Sequence, residues 1–331
     1  MMTRRSILGA IISISLVIIG VWYATDTYLQ TESDPIKIAV NKWPGYYLLF
    51  VAQDEGFFEK NGVDVKVILD TNYGDSQQRY IDGQVDGTCQ VIADSVTQYD
   101  AGLAPMIVYI FDYSVHGDII ISPLDSVEKL KGKTVGVDGI NSFSHLFMIK
   151  TLERHGMSEN DVFFKSVPAH LIIREIEVGT IAAGHVWEPT RSEALSKGYY
   201  SLASAAEFQY IVTDVLVFNE KTINDRPKEI HAIVKSLVEA QEFLKSNPDN
   251  ALAIMAKNSQ TKPETIFSGL DAIHMLDISE NQKALANDEK NNLHQNIKNI
   301  SQFYLDRGLI SSIPTHDQII DSQFINQSYK N

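Results

Sequence analysis

The stretch "VNKWPGYYLLFVAQDEGFF", Val40–Phe58, decides the fold. It follows the short apolar run "IKIA", which reads as a strand, and Pro44-Gly45 breaks that run with turn chemistry. Beyond the break Leu48, Leu49, Ala52 and Phe57 recur at helical spacing until Gly62 stops the pattern. A strand that turns sharply into a helix is the first half of a βα unit. Trp43, Tyr46 and Tyr47 stand at the corner, where a parallel sheet opens towards ligands.

The same alternation continues outward. Strands are expected at "VDVKVIL" (63–69), "DGTCQVI" (86–92), "PMIVYIF" (105–111), "GDIIIS" (117–122), "KTVGVDG" (133–139), "DVFFKSV" (161–167), "TIAAGHVW" (180–187) and "YIVTDVLVFN" (210–219). Helical patterns lie between them, notably at 75–84, 94–102, 142–156 and 169–179. From about 226 the pattern is helical almost to the end, with Pro227 and Pro248 at helix starts. The expected fold class is α/β with a mostly parallel sheet.

A weak repeat divides the chain. "GQVDGTCQVIAD" (83–94) aligns with "GTIAAGHVWEPT" (179–190), and Asp-Val precedes each at 64–65 and 161–162. This predicts two lobes of one design, hinged by two crossover strands near Ile119–Ser122 and Tyr210–Val215. The expected boundaries are 1–35 for a signal peptide or signal-anchor plus linker, 36–119 for the start of lobe one, 120–214 for lobe two with its hinge strands, and 215–331 for the helical remainder of lobe one.

Composition excludes several functions. The 331 residues carry a formal charge of -14, which argues against nucleic acid, since that partner needs a basic patch. Cys89 is the single cysteine and the histidines lack H-E-x-x-H spacing, so no disulfide, metal or cofactor site is expected. Neither G-x-G-x-x-G nor G-x-S-x-G occurs, and "GKT" at 132–134 lacks the first P-loop glycine. The N-terminus has Arg4 and Arg5, then an uncharged run from Ile7 to Ala24, then acidic residues. That order predicts export, with the run either retained as an anchor in the inner membrane or removed as a signal.

The candidate site follows from strand ends. Polar and aromatic residues there are Asn41, Trp43, Tyr46, Asp94, Ser95, Tyr113, Asn141, Ser142, Phe143, Trp187 and Glu188. Trp43 and Trp187 form the expected clamp, with Tyr46, Tyr113 and Phe143 completing the aromatic walls. Asn141 and Ser142 open a helix, whose free N–H groups suit an anionic head. Asp94 and Glu188 would receive an amine or a ring N–H. So many carboxylates argue against a bare inorganic anion.

These stretches, together with "IFDYSVHGDIIIS", "LKGKTVGVD", "HVWEP" and "FYLDRGLISSIPTHDQIIDSQFI", resemble the solute-binding proteins of ABC importers for nitrate, sulfonates, taurine and thiamine-pyrimidine precursors. The resemblance spans nearly all of Ile36–Ile325. It implies the type II periplasmic binding protein fold, two lobes with a two-strand hinge, no catalysis, a monomer, and delivery of a small ligand to an ABC permease in the inner membrane. The expected ligand is aminosulfonate-like (taurine-like) or aminopyrimidine-like. A membrane-tethered sensing module with the same fold is one alternative. A pyrimidine-precursor enzyme is another, though Cys89 alone cannot supply that family's cysteine-rich motif.

Overall fold

The computed structural model describes residues 34–208, 210–288 and 290–327. The apolar run at 7–24, with its reading as anchor or signal peptide, lies outside the described residues. Among the described residues no helix is long and apolar enough to cross a membrane.

Eleven strands are described, and they form two sheets. β1 (Ile36–Val40), β2 (Val65–Leu69), β3 (Gly87–Val91), β4 (Pro105–Ser114), β10 (Thr213–Asn219) and β11 (Ile273–Met275) make the first, in the order β11-β4-β10-β3-β1-β2. β5 (Ile119–Ser122), β6 (Thr134–Val137), β7 (Phe163–Ser166), β8 (Ala183–Val186) and β9 (Tyr200–Ser204) make the second, in the order β7-β6-β8-β5-β9. If β11 is set aside, the orders correspond strand for strand: β2-β1-β3-β10-β4 matches β7-β6-β8-β5-β9. The repeat at 83–94 and 179–190 falls on matching strands, β3 and β8. Gly83 (φ +65°) and Gly179 (φ +76°) each follow the helix before that strand in the left-handed conformation that glycine adopts without strain.

The sheets are mixed rather than mostly parallel. β10 runs antiparallel to both β3 and β4, and β5 runs antiparallel to both β8 and β9. The cause is chain economy. Each lobe completes its sheet with a strand that arrives from the other lobe, so it enters from the opposite direction. The residues expected as hinge strands, 119–122 and 210–215, mostly lie inside the sheets as β5 and the start of β10. The chain crosses between lobes at 115–118 and 205–212. The crossings are tied together by Ala205 N–H to Asp118 C=O (3.0 Å) and Ser114 N–H to Val212 C=O (2.9 Å).

The helical pattern after the opening corner is also interrupted. Residues 44–47 form a single 3-10 turn, and helices follow at Leu48–Asp54 and Phe57–Lys60. Gly56, at φ +71°, separates them. Leu48, Leu49, Val51 and Ala52 are buried, and the 20-residue helix Pro227–Ser246 packs its apolar side over them. β9 and β11 fall outside the expected strands, because "YSLAS" is half-polar and β11 has only three residues.

Candidate functional site

Corner residues become site residues because β1–β4 end, and β10 begins, at one edge of the first sheet. Asn41 and Trp43 follow β1, Tyr73 follows β2, Val91 ends β3 and Asp94 lies beyond it. Asp112 closes β4, and Asp214 opens β10 opposite it in the ladder. The second lobe presents Phe143 from the start of helix Phe143–Arg154 and Trp187 from the end of β8, while Asp118 lies on the crossing.

Between the lobes these residues line a narrow cavity of about 10 Å³. Its lining is Asn41, Trp43, Tyr46, Tyr73, Val91, Asp118, Phe143, Trp187, Val212 and Asp214. Lobe meets lobe through aromatic edges: Tyr73 lies 5.3 Å from Phe143 and 6.1 Å from Trp187, ring centre to ring centre. Phe143 and Trp187 are themselves 5.7 Å apart. A second recess of polar character, lined by Lys42, Asp138, His170 and Glu188 among others, shares Asn41, Tyr73 and Trp187 with the cavity.

The electrostatics are lopsided. Asp112, Asp118 and Asp214 are all buried, at 0%, 2% and 3% exposure. Trp43 donates its indole N–H to Asp112 (3.2 Å), Tyr46 donates its hydroxyl to Asp214, and Tyr73 donates to Asp94. His185 approaches Asp118 Oδ1 at 2.9 Å. Burial, partly offset by Trp43 and reinforced by Asp118, raises the Asp112 carboxyl well above the ordinary carboxylate range. Burial and the charge of Asp112 do the same to Asp214. Burial lifts Asp94 to about 7, with Tyr73 opposing and Asp138 adding to the shift. Three buried oxygens among the lining residues, Asn41 Oδ1, Asp118 Oδ2 and Asp214 Oδ2, have no hydrogen-bond partner.

The residues expected at the site do not all meet. Asn41, Trp43, Tyr46, Phe143 and Trp187 line the cavity, and Asp94 stands behind Tyr73. Glu188 lines the adjoining recess and is held by Arg191 (2.8 Å) and Ser192. Ser95 is sealed inside lobe one, where it accepts from Gln90 (2.8 Å). Asn141 and Ser142 are outside the lining. Ser142 turns its hydroxyl back to the carbonyls of Asp138 and Gly139, both at 2.8 Å, and the Asn141 backbone N–H donates to His145. Tyr113 lies elsewhere, stacked on His274 at 4.8 Å beside Tyr210. It lines a larger and more open groove of about 410 Å³ with Glu280 and Lys283. The lining of that groove shows none of the unpartnered buried oxygens found in the interlobe cavity.

Asp118, Asp214 and Tyr73 line the cavity and Asp112 stands behind Trp43, yet none is among the residues expected from strand ends. Asp118 and Asp214 sit at the beginnings of their strands, whereas parallel sheets direct attention to strand ends. Their signal was present in "HGDIII" and "VTDVLVF", where an acid precedes a fully apolar run. Once those strands are known to run antiparallel, their first residues fall on the binding edge.

Comparison with known proteins gives a consistent fold. Residues 43–251 match the model of a family described as NMT1/THI5 like. A Brucella abortus protein named provisionally as a binding protein is 22% identical over 265 residues, 78% of this chain and 79% of that protein. Among solved structures, the ligand-binding component of an ABC-type import system from Staphylococcus aureus superposes with a TM-score of 0.74 at 12% identity, over 90% of this chain and 100% of its own. The periplasmic aliphatic sulphonate binding protein SsuA of Escherichia coli gives 0.71 at 17%, over 89% and 100%. The desulfurization enzyme DSZB gives 0.61 at 14%, over 88% and 98%. The fold is the two-lobed type II periplasmic binding protein fold.

Proposed function

The chain belongs to the NMT1/THI5-like family, and from that premise we propose that it is the extracytoplasmic substrate-binding component of an ABC importer. The observation that carries this reading is the cavity built by residues of both lobes, with aromatic walls and unpartnered buried oxygens. A site assembled from two lobes exists in full only when they meet, so binding and closure are one event. Its occupant is a small polar organic molecule, aminopyrimidine-like sooner than aminosulfonate-like. The residues expected to hold an anionic head, Asn141 and Ser142, lie outside the lining, and the lining carries carboxylates instead. The apolar segment at 7–24 is read as holding the protein at the outer face of the inner membrane, or as a signal removed on export.

The fold also hosts an enzyme, so catalysis is weighed on residues. Cys89 is buried, and burial together with the charges of Asp214 and Asp112 pushes its thiol up, away from a reactive thiolate. This supports binding without turnover.

The test is affinity capture of the intact protein from membranes, with identification of its partners and of any small molecule it carries. Recovery of an ABC permease and an unchanged ligand supports import. A signalling protein in place of a permease would replace this reading with ligand sensing, and a converted ligand would replace it with catalysis.

A further inference from the structure

We infer that the interlobe cavity selects a small planar nitrogen cation, of amidinium, guanidinium or aminopyridinium type, whose N–H groups go to Asp118 Oδ2, Asp214 Oδ2 and Asn41 Oδ1. The inference rests on the proposed reading that this cavity is the solute site, and it assigns the charge and donor pattern of the solute.

Three observations converge. The first is hydrogen-bond supply. The three unpartnered oxygens belong to side chains that are 2% to 3% exposed. A buried acceptor left without a donor is costly, and a charged one more so. The Trp43, Tyr46 and Tyr73 donors are already engaged by Asp112, Asp214 and Asp94. The amide of Asn41 and the indole of Trp187 are neutral groups, so neither can offset a buried carboxylate. His185 meets Asp118 only through Oδ1, so the free Oδ2 and the unpartnered oxygens of Asp214 and Asn41 look to the occupant for donors.

The second is charge. No lysine or arginine lines the cavity, while Asp118 and Asp214 do, with Asp112 and Asp94 directly behind. Asp214 faces Tyr46 on the 3-10 turn, Asp112 on β4, Asp118 on the crossing, Asp94 on helix Ile92–Asp100 and Cys89 on β3. A sulfonate or nitrate placed here meets repulsion from whichever of these groups is ionised. A cation meets attraction strengthened by the low dielectric of a closed site.

The third is shape. Trp43, Tyr73, Phe143 and Trp187 form the walls, and aromatic faces attract cations. The free space between these walls is about 10 Å³, so the lobes must part to admit an occupant, and a small flat one asks for the least separation. A metal ion does not fit the arrangement. Among the described residues no group of three or more His, Cys, Asp or Glu side chains is gathered to hold one.

Burial pushes the carboxyls of Asp112 and Asp214 towards their protonated forms, so an arriving cation displaces protons to solvent. Charge is then conserved within the cavity, and no covalent step is involved.

The experiment is calorimetric titration of the intact protein at pH 7 with guanidinium, benzamidinium and 4-aminopyridinium, and with benzamide, taurine, methanesulfonate and nitrate. At least one cation is expected to bind. Benzamide, the uncharged counterpart of benzamidinium, should bind roughly 30-fold or more weakly. Asp214→Asn and Asp118→Asn should each weaken the cation by at least roughly tenfold. Should either variant fail to fold, the unmodified protein still decides: cation binding measured in buffers of different ionisation enthalpy must show net proton release. Tighter binding of a sulfonate or nitrate than of every cation overturns this inference while leaving the import reading standing. Equal binding of benzamide and benzamidinium also overturns it. If no compound of either charge binds, both readings fail.

Discussion

Tyr46 donates its hydroxyl hydrogen to the carboxylate of Asp214, 168 positions further along the chain, and both side chains are sealed from solvent. The bond joins the corner after β1 to the first residues of β10, the strand that returns from the other lobe. It holds the acid at the cavity wall while leaving Oδ2 free. Tyr46→Phe removes the donor and keeps the ring, whose edge meets Phe111 at 5.3 Å. A buried acceptor deprived of its partner costs about 1–3 kcal/mol. Urea unfolding should therefore show a loss in that range, and an unchanged midpoint would mean the bond contributes nothing.

Gly45 occupies its place for lack of room. A Cβ built on it would lie 1.9 Å from Asp112 Oδ2 and 3.2 Å from the Trp43 indole nitrogen. Gly45→Ala must displace that carboxylate and with it the Trp43 bond, at an overpacking cost of about 1–3 kcal/mol. Gly74→Ala is the control, because its added carbon meets nothing within 4 Å and it sits in helix Tyr73–Ile81. Thermal unfolding should separate the two, with the second variant as stable as the parent or more so. Equal behaviour would sink the argument from crowding.

Asp94 makes stability pH-dependent in a defined direction. Its carboxyl is raised from the ordinary 3.8 to about 7, chiefly by burial. A raised acid favours the folded state when protonated, so its contribution is complete below about pH 4 and is lost as pH rises through about 7. Asp94→Asn stays neutral and can still accept from Tyr73. The variant should match the parent in melting temperature near pH 4 and exceed it at pH 8. A gap that is the same at both pH values contradicts the assignment.

A polar contact also bridges the lobes, and the proposed closure would use it as a latch. Arg191, on helix Thr190–Ser196 of lobe two, reaches Ser268 of helix Pro263–Asp271 in lobe one at 3.1 Å while pairing with Glu188. Ser268→Ala breaks the interlobe contact but leaves the Glu188–Arg191 pair. Losing one such bond is worth about 0.5–1.5 kcal/mol, or roughly two- to tenfold in affinity. The loss should appear as faster ligand release in stopped-flow measurements, with the melting temperature unchanged. An unaltered release rate would remove the latch from the account.

Much of this was legible in the sequence, for identifiable reasons. Apolar period and glycine punctuation report on backbone, so strands such as Ile36–Val40 and stops such as Gly83 could be read directly. Direction in the sheet could not, because an apolar run looks alike whichever way it runs. That is why β5 and β10 were read as hinge strands, and why Asp118 and Asp214 were overlooked. Trp43 and Trp187 each follow a strand beside a turn, and both line the cavity. Ser142 misled because a helix start offers N–H groups to an anion whether or not it faces the cavity. Its hydroxyl bonds to Asp138 and Gly139 are local geometry that spacing does not encode.

The central claim is that the cleft between the lobes holds a small cationic solute and delivers it unchanged. Mass spectrometry of the small molecules released when the intact protein, purified from its native cell, is unfolded tests this most directly. One small compound, in equal proportion to protein and positively charged at neutral pH, is the predicted result. A sulfonate, nitrate or other anion in that proportion would contradict it.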